Sequence, residues 1–293
     1  MNSIKKIVIL ISLFFTGFST INAQCILLEN GDSITCQKAL NNMFDSIYHL
    51  EHVKFEMVSY ERIEGVLQKN SAMAYVQYEP KKIFLRGFRQ NGELANEILY
   101  IEGQNNNKTL ISPNGFPYIN LNLDPLGSTM RHNRHLTILD AGGRYLVDML
   151  KLGLKQYKES GDSTNRFYIT REGPGLLKLV VSNPDYEFKP YSVLQNEQIR
   201  EIAFKLGIPG YKLIEINKEV DDFEDLSEGQ VILIPNFYAK KFELIIREKD
   251  FVPMHINIFD DLGLYSSYDY IYFDTHPIIN NQTFNSDNPA YTF

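Results

Sequence analysis

Tryptophan is absent from this chain of 293 residues, and cysteine occurs only twice. The two cysteines do not stand in Cys-x-x-Cys spacing, which argues against a redox dithiol. No surplus of positive charge exists, since the formal net charge is −7. A net acidic protein gains nothing from nucleic acid or an anionic membrane, and neither a basic stripe nor a coiled-coil heptad reverses that. No Ser lies in Gly-x-Ser-x-Gly. No apolar run reaches the ~20 residues that a spanning helix needs. What is plentiful is aromatic: 19 Phe and 18 Tyr favour a β-rich body.

The longest apolar run lies at the N-terminus. Lys5 and Lys6 precede apolar residues 7–18, and Ala23 supplies a small residue before Gln24. This order predicts a cleaved secretory signal over residues 1–23 and a mature protein that starts at Gln24, without a transmembrane segment. Gln24 is bulky where a lipidation site before Cys25 would need a small residue. The mature chain, about 270 residues, suffices for one domain of about 200 residues plus a small module.

Residues 24–36 read as a hairpin. Asn30-Gly31 is a two-residue turn signal, and counting outward from Glu29 and Asp32 sets Cys25 opposite Cys36. Opposed strand residues have Cα atoms about 4.5 to 5.5 Å apart, within disulfide range, so a Cys25–Cys36 bridge is expected, contributing roughly 2–3 kcal/mol.

Beyond the hairpin, Ala39, Leu40, Met43, Ile47 and Leu50 form one stripe, which predicts a helix over residues 37–52. Alternating segments at 53–66, 72–78, 82–88, 98–102 and 108–112 predict an antiparallel meander, with turns at Lys69-Asn70-Ser71, Gln90-Asn91-Gly92 and Gln104-Asn105-Asn106. A helix is expected over 137–159, apolar at Ile138, Leu146, Met149, Leu150 and Leu154. Strands follow at 166–171, 176–182, 242–247, 255–259 and 264–273.

Residues 190–236 have a different rhythm. Tyr191 and Val193 alternate as in a strand; Ile199, Ile202, Ala203 and Leu206 lie at helical spacing before Gly207, and Pro209-Gly210 opens a second helix with Leu213 and Ile214. Val231, Leu233 and Ile234 make a last strand that Pro235 ends. This strand-helix-helix-strand order resembles a LysM module, the βααβ domain that holds N-acetylglucosamine glycans such as peptidoglycan. The resemblance implies a glycan groove lined by Asn196, Glu197 and Gln198 and by Glu224, Asp225, Leu226, Ser227, Glu228 and Gly229. LysM modules usually carry Gly-Asp-Thr or Gly-Asp-Ser where this chain has Asn196-Glu197-Gln198.

The rest of the chain, 37–189 and 237–293, resembles the LolA and LolB lipoprotein-carrier superfamily. The likeness rests on the terminal series from Phe242 through Val252-Pro253, Gly263 and Tyr268 to Phe284, Asn288-Pro289 and Tyr291-Thr292-Phe293. The stretch Leu123-Asp124-Pro125-Leu126-Gly127 through Arg131, Arg134 and Thr137 to Gly142 resembles the envelope group known as domain of unknown function 1571. These resemblances imply an α+β fold: a strongly curved antiparallel sheet, an incomplete barrel, with helices and an inserted LysM-like module. They also imply a cup for acyl chains, for which Phe55, Met57, Tyr75, Phe84, Leu99, Ile256 and Ile258 are the candidate lining. Strand alternation alone fits a filled core equally well.

No catalytic constellation stands out. His132 and His135 are flanked by Arg131 and Arg134, whose charges oppose a metal ion, and too few ligands lie nearby, so neither metal nor cofactor is expected. The arginines fit acidic partners or a polar headgroup. Asp260-Asp261 reads as a turn with Gly263. The sequence therefore predicts a secreted, periplasmic, non-catalytic envelope protein that binds peptidoglycan through its module and a lipid or lipoprotein in its cup. The alternatives are an envelope scaffold with a filled core and a peptidoglycan-modifying enzyme.

Overall fold

The computed structural model describes residues 25–132, 134–159 and 166–293. The expected signal over 1–23, Gln24 and Asn133 lie outside the described residues. The first described elements are a small hairpin, β1 (Cys25–Leu27) and β2 (Ser33–Thr35), followed at once by helix α1 (Cys36–Tyr48). Cys25 pairs with Thr35, one residue away from the expected partner. The reason is the turn. Gly31 donates to the Leu28 carbonyl at 3.0 Å with φ +88°, and Leu28 donates to Asp32 at 2.8 Å, so the loop has three residues and ends in a left-handed glycine. One extra loop residue slips the register by one. Cys36 then becomes the first residue of α1, and both cysteines are free, Cys25 exposed and Cys36 buried. The expected disulfide is therefore not formed.

Thr35 caps α1 by accepting from the Lys38 amide at 3.2 Å, and Ala39, Leu40, Met43, Phe44 and Ile47 are buried along one stripe. The helix ends before residue 52 because His52 already pairs with Gln77. Next come β3 (His52–Ile63), β4 (Val66–Gln77), β5 (Lys82–Phe88), β6 (Leu94–Ile101), β7 (Thr109–Pro113) and β8 (Leu121–Leu123). The β3–β4 turn is Glu64-Gly65, with φ of +50° and +80°, not the expected Lys69-Asn70-Ser71, which lies inside β4.

Helix α2 (Ser128–Arg131) and a 3-10 turn at Ile138–Asp140 precede α3 (Arg144–Glu159). The single helix expected over 137–159 is broken by Gly142 and Gly143, with φ of +95° and +89°. At Gly142 a Cβ would sit 2.6 Å from the Tyr78 hydroxyl. Strands β9 (Arg166–Gly173) and β10 (Leu176–Ser182) follow.

Then comes the strand-helix-helix-strand unit: β11 (Phe188–Ser192), α4 (Ile199–Leu206), α5 (Gly210–Ile216) and β12 (Val231–Pro235). β11 and β12 pair only with each other, and the unit has its own core of Val193, Ile199, Ile202, Ile208, Leu213, Val220, Leu226, Ile232 and Ile234. The chain returns through β13 (Lys241–Arg247), β14 (Pro253–Asp260) and β15 (Gly263–Asp274).

Eleven strands form one antiparallel sheet in the order β8-β7-β6-β5-β4-β3-β15-β14-β13-β10-β9. Because β10 pairs directly with β13, the unit between them is an insertion that leaves the ladder intact. Its two connecting strands are tied: Asn183 donates to Lys240, and Asn236 donates to Glu187. Extra residues in β6, β9, β14 and β15 shift the register and bend the sheet.

Candidate functional site

Strand alternation gives the sheet two faces. On one, the row Phe55, Ala74, Leu85, Ile98 crosses β3 to β6; one residue away, Lys54, Tyr75, Phe84 and Leu99 make the opposite face. Over β9, β10, β13 and β14 the first face is filled, with α1 and α3 over it, and Leu177, Leu179, Leu244, Ile256 and Ile258 are buried there. Over β15 to β6 it is open beneath residues 130–146. The cavity there has a volume of about 140 Å³.

The expected cup residues divide accordingly. Phe55 and Met57 line the cavity. Tyr75, Phe84 and Leu99 lie on the opposite face, where Tyr291 stacks on Phe84 with ring centroids 3.9 Å apart and Phe293 meets it edge-on. Ile256 and Ile258 share the inner face but sit in its filled part. Sequence reading missed Leu85, Ala72, Asn70, Asn96, Ile98, Tyr268 and Tyr270, all of which line the space.

The cavity floor ends in a buried polar group. Tyr268 donates to Glu61 at 2.8 Å, and the His135 amide donates to its other oxygen at 3.2 Å. The His135 ring lies between Tyr265 and Tyr211, at centroid distances of 4.1 and 4.8 Å, and Nε2 contacts the Arg62 carbonyl at 2.9 Å. Burial lowers the imidazole below its ordinary 6.5, although Glu61 and the Arg62 carbonyl act in the other direction. It is therefore neutral at pH 7, with Nε2 the donor and Nδ1 without a partner. His132 is exposed, so the two histidines do not converge. Among the described residues no group of three or more His, Cys, Asp and Glu is placed to hold a metal ion.

The cover of the cavity is held by the inserted unit. Arg131 is buried, with Asp222 at 3.4 Å, Glu224 at 3.7 Å and its guanidinium 4.4 Å over the Phe223 ring. Arg200 of α4 lies 3.5 Å from Asp140, which itself accepts from the Thr137 amide and hydroxyl. Beneath, Arg62 and Lys212 meet Glu215 and Asp260 in a buried ionic cluster, with 2.9 Å from Arg62 to Glu215 and 2.7 Å from Lys212 to Asp260. Arg62 and Asp260 belong to the sheet, and Lys212 and Glu215 to α5. For Asp260 and Glu215 burial pushes the pKa up, yet hydrogen bonds from both cations outweigh it, and both carboxyls come out below their ordinary values.

The loops expected to line a glycan groove come together. Gln198 donates to the Leu226 carbonyl at 3.1 Å and accepts from the Leu226 amide at 3.0 Å. Glu197 accepts from the Leu194 amide, the Tyr191 hydroxyl and Lys205. Gly229, at φ +81°, donates to Val193, and Asp225 accepts from the Asp221 amide. Asn196, Ser227 and Glu228 are exposed, and Glu224 turns to Arg131.

Residues 51–188 match the family model of DUF1571, a protein of unknown function. The DUF1571 region thus takes in β3 to β10, the cavity cover and every cavity-lining residue except Tyr268 and Tyr270 of β15. Comparison with curated protein sequences returned no match. Among solved structures, lipoprotein LppX of Mycobacterium tuberculosis is similar at 10% identity, over 83% of this chain and 97% of that one, with a TM-score of 0.39. A LolA superfamily protein of Nitrosomonas europaea is similar at 8% identity over 87% and 99%, TM-score 0.31. The Pseudomonas aeruginosa MucA/MucB complex is similar at 12% identity over 86% and 60%, TM-score 0.38. Among the described residues no helix is long and apolar enough to cross a membrane.

Proposed function

We propose that this is a non-catalytic, extracytoplasmic envelope protein that shields an apolar chain of a lipid or lipoprotein in its sheet cavity. The observation that carries the reading is the space itself: Phe55, Met57, Leu85, Ile98, Leu136 and Tyr270 line it, and the greater part of its wall is apolar. Apolar area removed from water there stabilises a bound chain by about 25 cal/mol per Å². A space left open beside a well-filled core suits a ligand, since filled cores keep few voids larger than water. Glu61 and Asp140 are fully engaged with donors, which supports a binding role over acid or base chemistry.

The inserted unit, on this reading, is a LysM-like module whose 196–198 and 224–229 loops meet peptidoglycan and set the cavity at the wall. Its rigid attachment through Arg62 and Asp260 fits a positioning role. Two measurements test the parts separately. An uncharged fluorescent chain probe should bind the protein and be lost in Ala72→Phe, which fills the cavity; undiminished binding in that variant would sink the lipid reading. The full chain should be retained on insoluble peptidoglycan and released by Ser227→Trp with Glu228→Ala; passage of the wild type straight through would remove the wall-binding reading.

A further inference from the structure

The cavity walls change chemistry in one direction. Reading along β3, the row of Phe55, Ala74, Leu85 and Ile98 is wholly apolar; the next, Met57, Ala72, Gly87 and Asn96, is mixed; the third places Tyr268, Ser59 and Asn70 side by side. Rows on one face repeat every second residue, so the first and third stand about 13 Å apart. The space is thus apolar at one end and polar at the other.

The charges that line the cavity are unequally committed. Glu61 has a donor on each carboxylate oxygen, from Tyr268 and the His135 amide. Asp140 has two donors from Thr137 and Arg200 nearby. Both negative groups are therefore satisfied within the protein. Two donors are not. The Asn70 Nδ2 is buried without a partner, and among the described residues no carboxylate or carbonyl engages the guanidinium of Arg134, which lines the cavity where it is exposed. A buried donor without an acceptor is costly, and a guanidinium presents a fork that suits planar or tetrahedral oxyanions.

We infer that the cavity takes a single-chain amphiphile with an anionic head, a carboxylate or a phosphate, its chain along Phe55 and Leu85 and its head at Asn70 and Arg134. This rests on the lipid reading above and narrows it to one class of ligand. An unmet donor pair of this kind discriminates an anion from an alcohol by roughly 10- to 100-fold.

The test is displacement of an uncharged naphthylamine probe from the full chain by dodecanoate, dodecyl phosphate, dodecanol and dodecyltrimethylammonium, with inorganic phosphate alone as a further arm. The two anionic chains should compete about 10- to 100-fold better than dodecanol, and the cation worst. The stronger of the two anions tells carboxylate from phosphate. Arg134→Gln, a change at an exposed side chain, should abolish the preference while leaving the dodecanol affinity in place, and Asn70→Leu should reduce it. Equal competition by all four chains, or an undiminished preference in Arg134→Gln, overturns the inference and leaves the cavity reading standing. Competition by inorganic phosphate as strong as by dodecyl phosphate overturns it too, because the chain would then play no part. If the probe does not bind, or binds as well to Ala72→Phe, the lipid reading and this inference fall together.

Discussion

At the scale of single residues, the thiols and one imidazole make the sharpest predictions. Burial pushes the Cys36 thiol up to about 12, with backbone hydrogen bonds at Val180 and Tyr168 opposing it. The thiolate is the reactive form, so Cys36 should be inert in the native state while the exposed Cys25 reacts. A thiol titration should find one group in the folded protein and two in denaturant; two at once under native conditions would contradict the buried placement. His135 behaves oppositely to a surface histidine. Its folded pKa is depressed, so the stability it lends is complete above the ordinary 6.5 and is lost as pH falls through the folded value. Thermal melts should therefore show Tm declining below about pH 6.5, and His135→Phe, which keeps an aromatic ring between Tyr211 and Tyr265, should flatten that decline.

At the scale of elements, the cavity cover and the C-terminal tail each hang on a few contacts. Arg131 is the only side chain of α2 that is buried, and it is clasped by Asp222, Glu224 and Phe223 of the inserted unit. Removing it in Arg131→Ala should free residues 128–136 rather than unfold the sheet. Hydrogen exchange should accelerate in that segment alone, with probe binding faster on and faster off. The tail is fixed on the opposite face by Tyr291 against Phe84 and by Thr292, whose amide and hydroxyl both donate to the buried Glu97. Tyr291→Ala should cost about 1–2 kcal/mol in denaturant unfolding, the loss of one stacked aromatic contact and part of its burial, without any effect on chain binding, because the tail does not reach the cavity face.

At the scale of the whole molecule, the ionic cluster of Arg62, Lys212, Glu215 and Asp260 joins the inserted unit to the sheet. All four side chains are at least nine-tenths buried. Breaking such a group by removing one partner typically costs about 3–5 kcal/mol, since the remaining charges stay buried. Asp260→Asn should lower stability by that order, and limited proteolysis should then cut the connections at 183–187 and 236–240 first. The acid side follows from the same groups. Asp260 and Glu215 have depressed pKa values, so their contribution is present above the ordinary carboxylate range of about 4 and disappears only as pH falls through the lower folded values. The attachment should hold throughout mildly acidic conditions and fail only in strong acid.

Much of this architecture was legible locally. Periodicity set helix α1, the meander and the strand-helix-helix-strand order of residues 190–236, because each is a short-range pattern of apolar residues broken by Gly or Pro; the insertion was an expectation of the family resemblance. The misreadings have separate causes. Asn70, read as a turn, is a strand residue because Glu64-Gly65 turns first, and that displaced it from view as a cavity group. Tyr75, Phe84 and Leu99 are as apolar as Phe55 and Leu85, and alternation separates the two sets without telling which faces the cavity when the tail buries the other side. The hairpin slipped by one residue through a three-residue loop, and with it the disulfide. Sequence by itself determined which residues share a face, since alternation and helical spacing depend on neighbours a few positions apart. Only tertiary structure decided which face is open, which charges are already paired and which donors remain free, since those depend on residues as far apart in the chain as Phe84 and Tyr291 or Arg62 and Asp260.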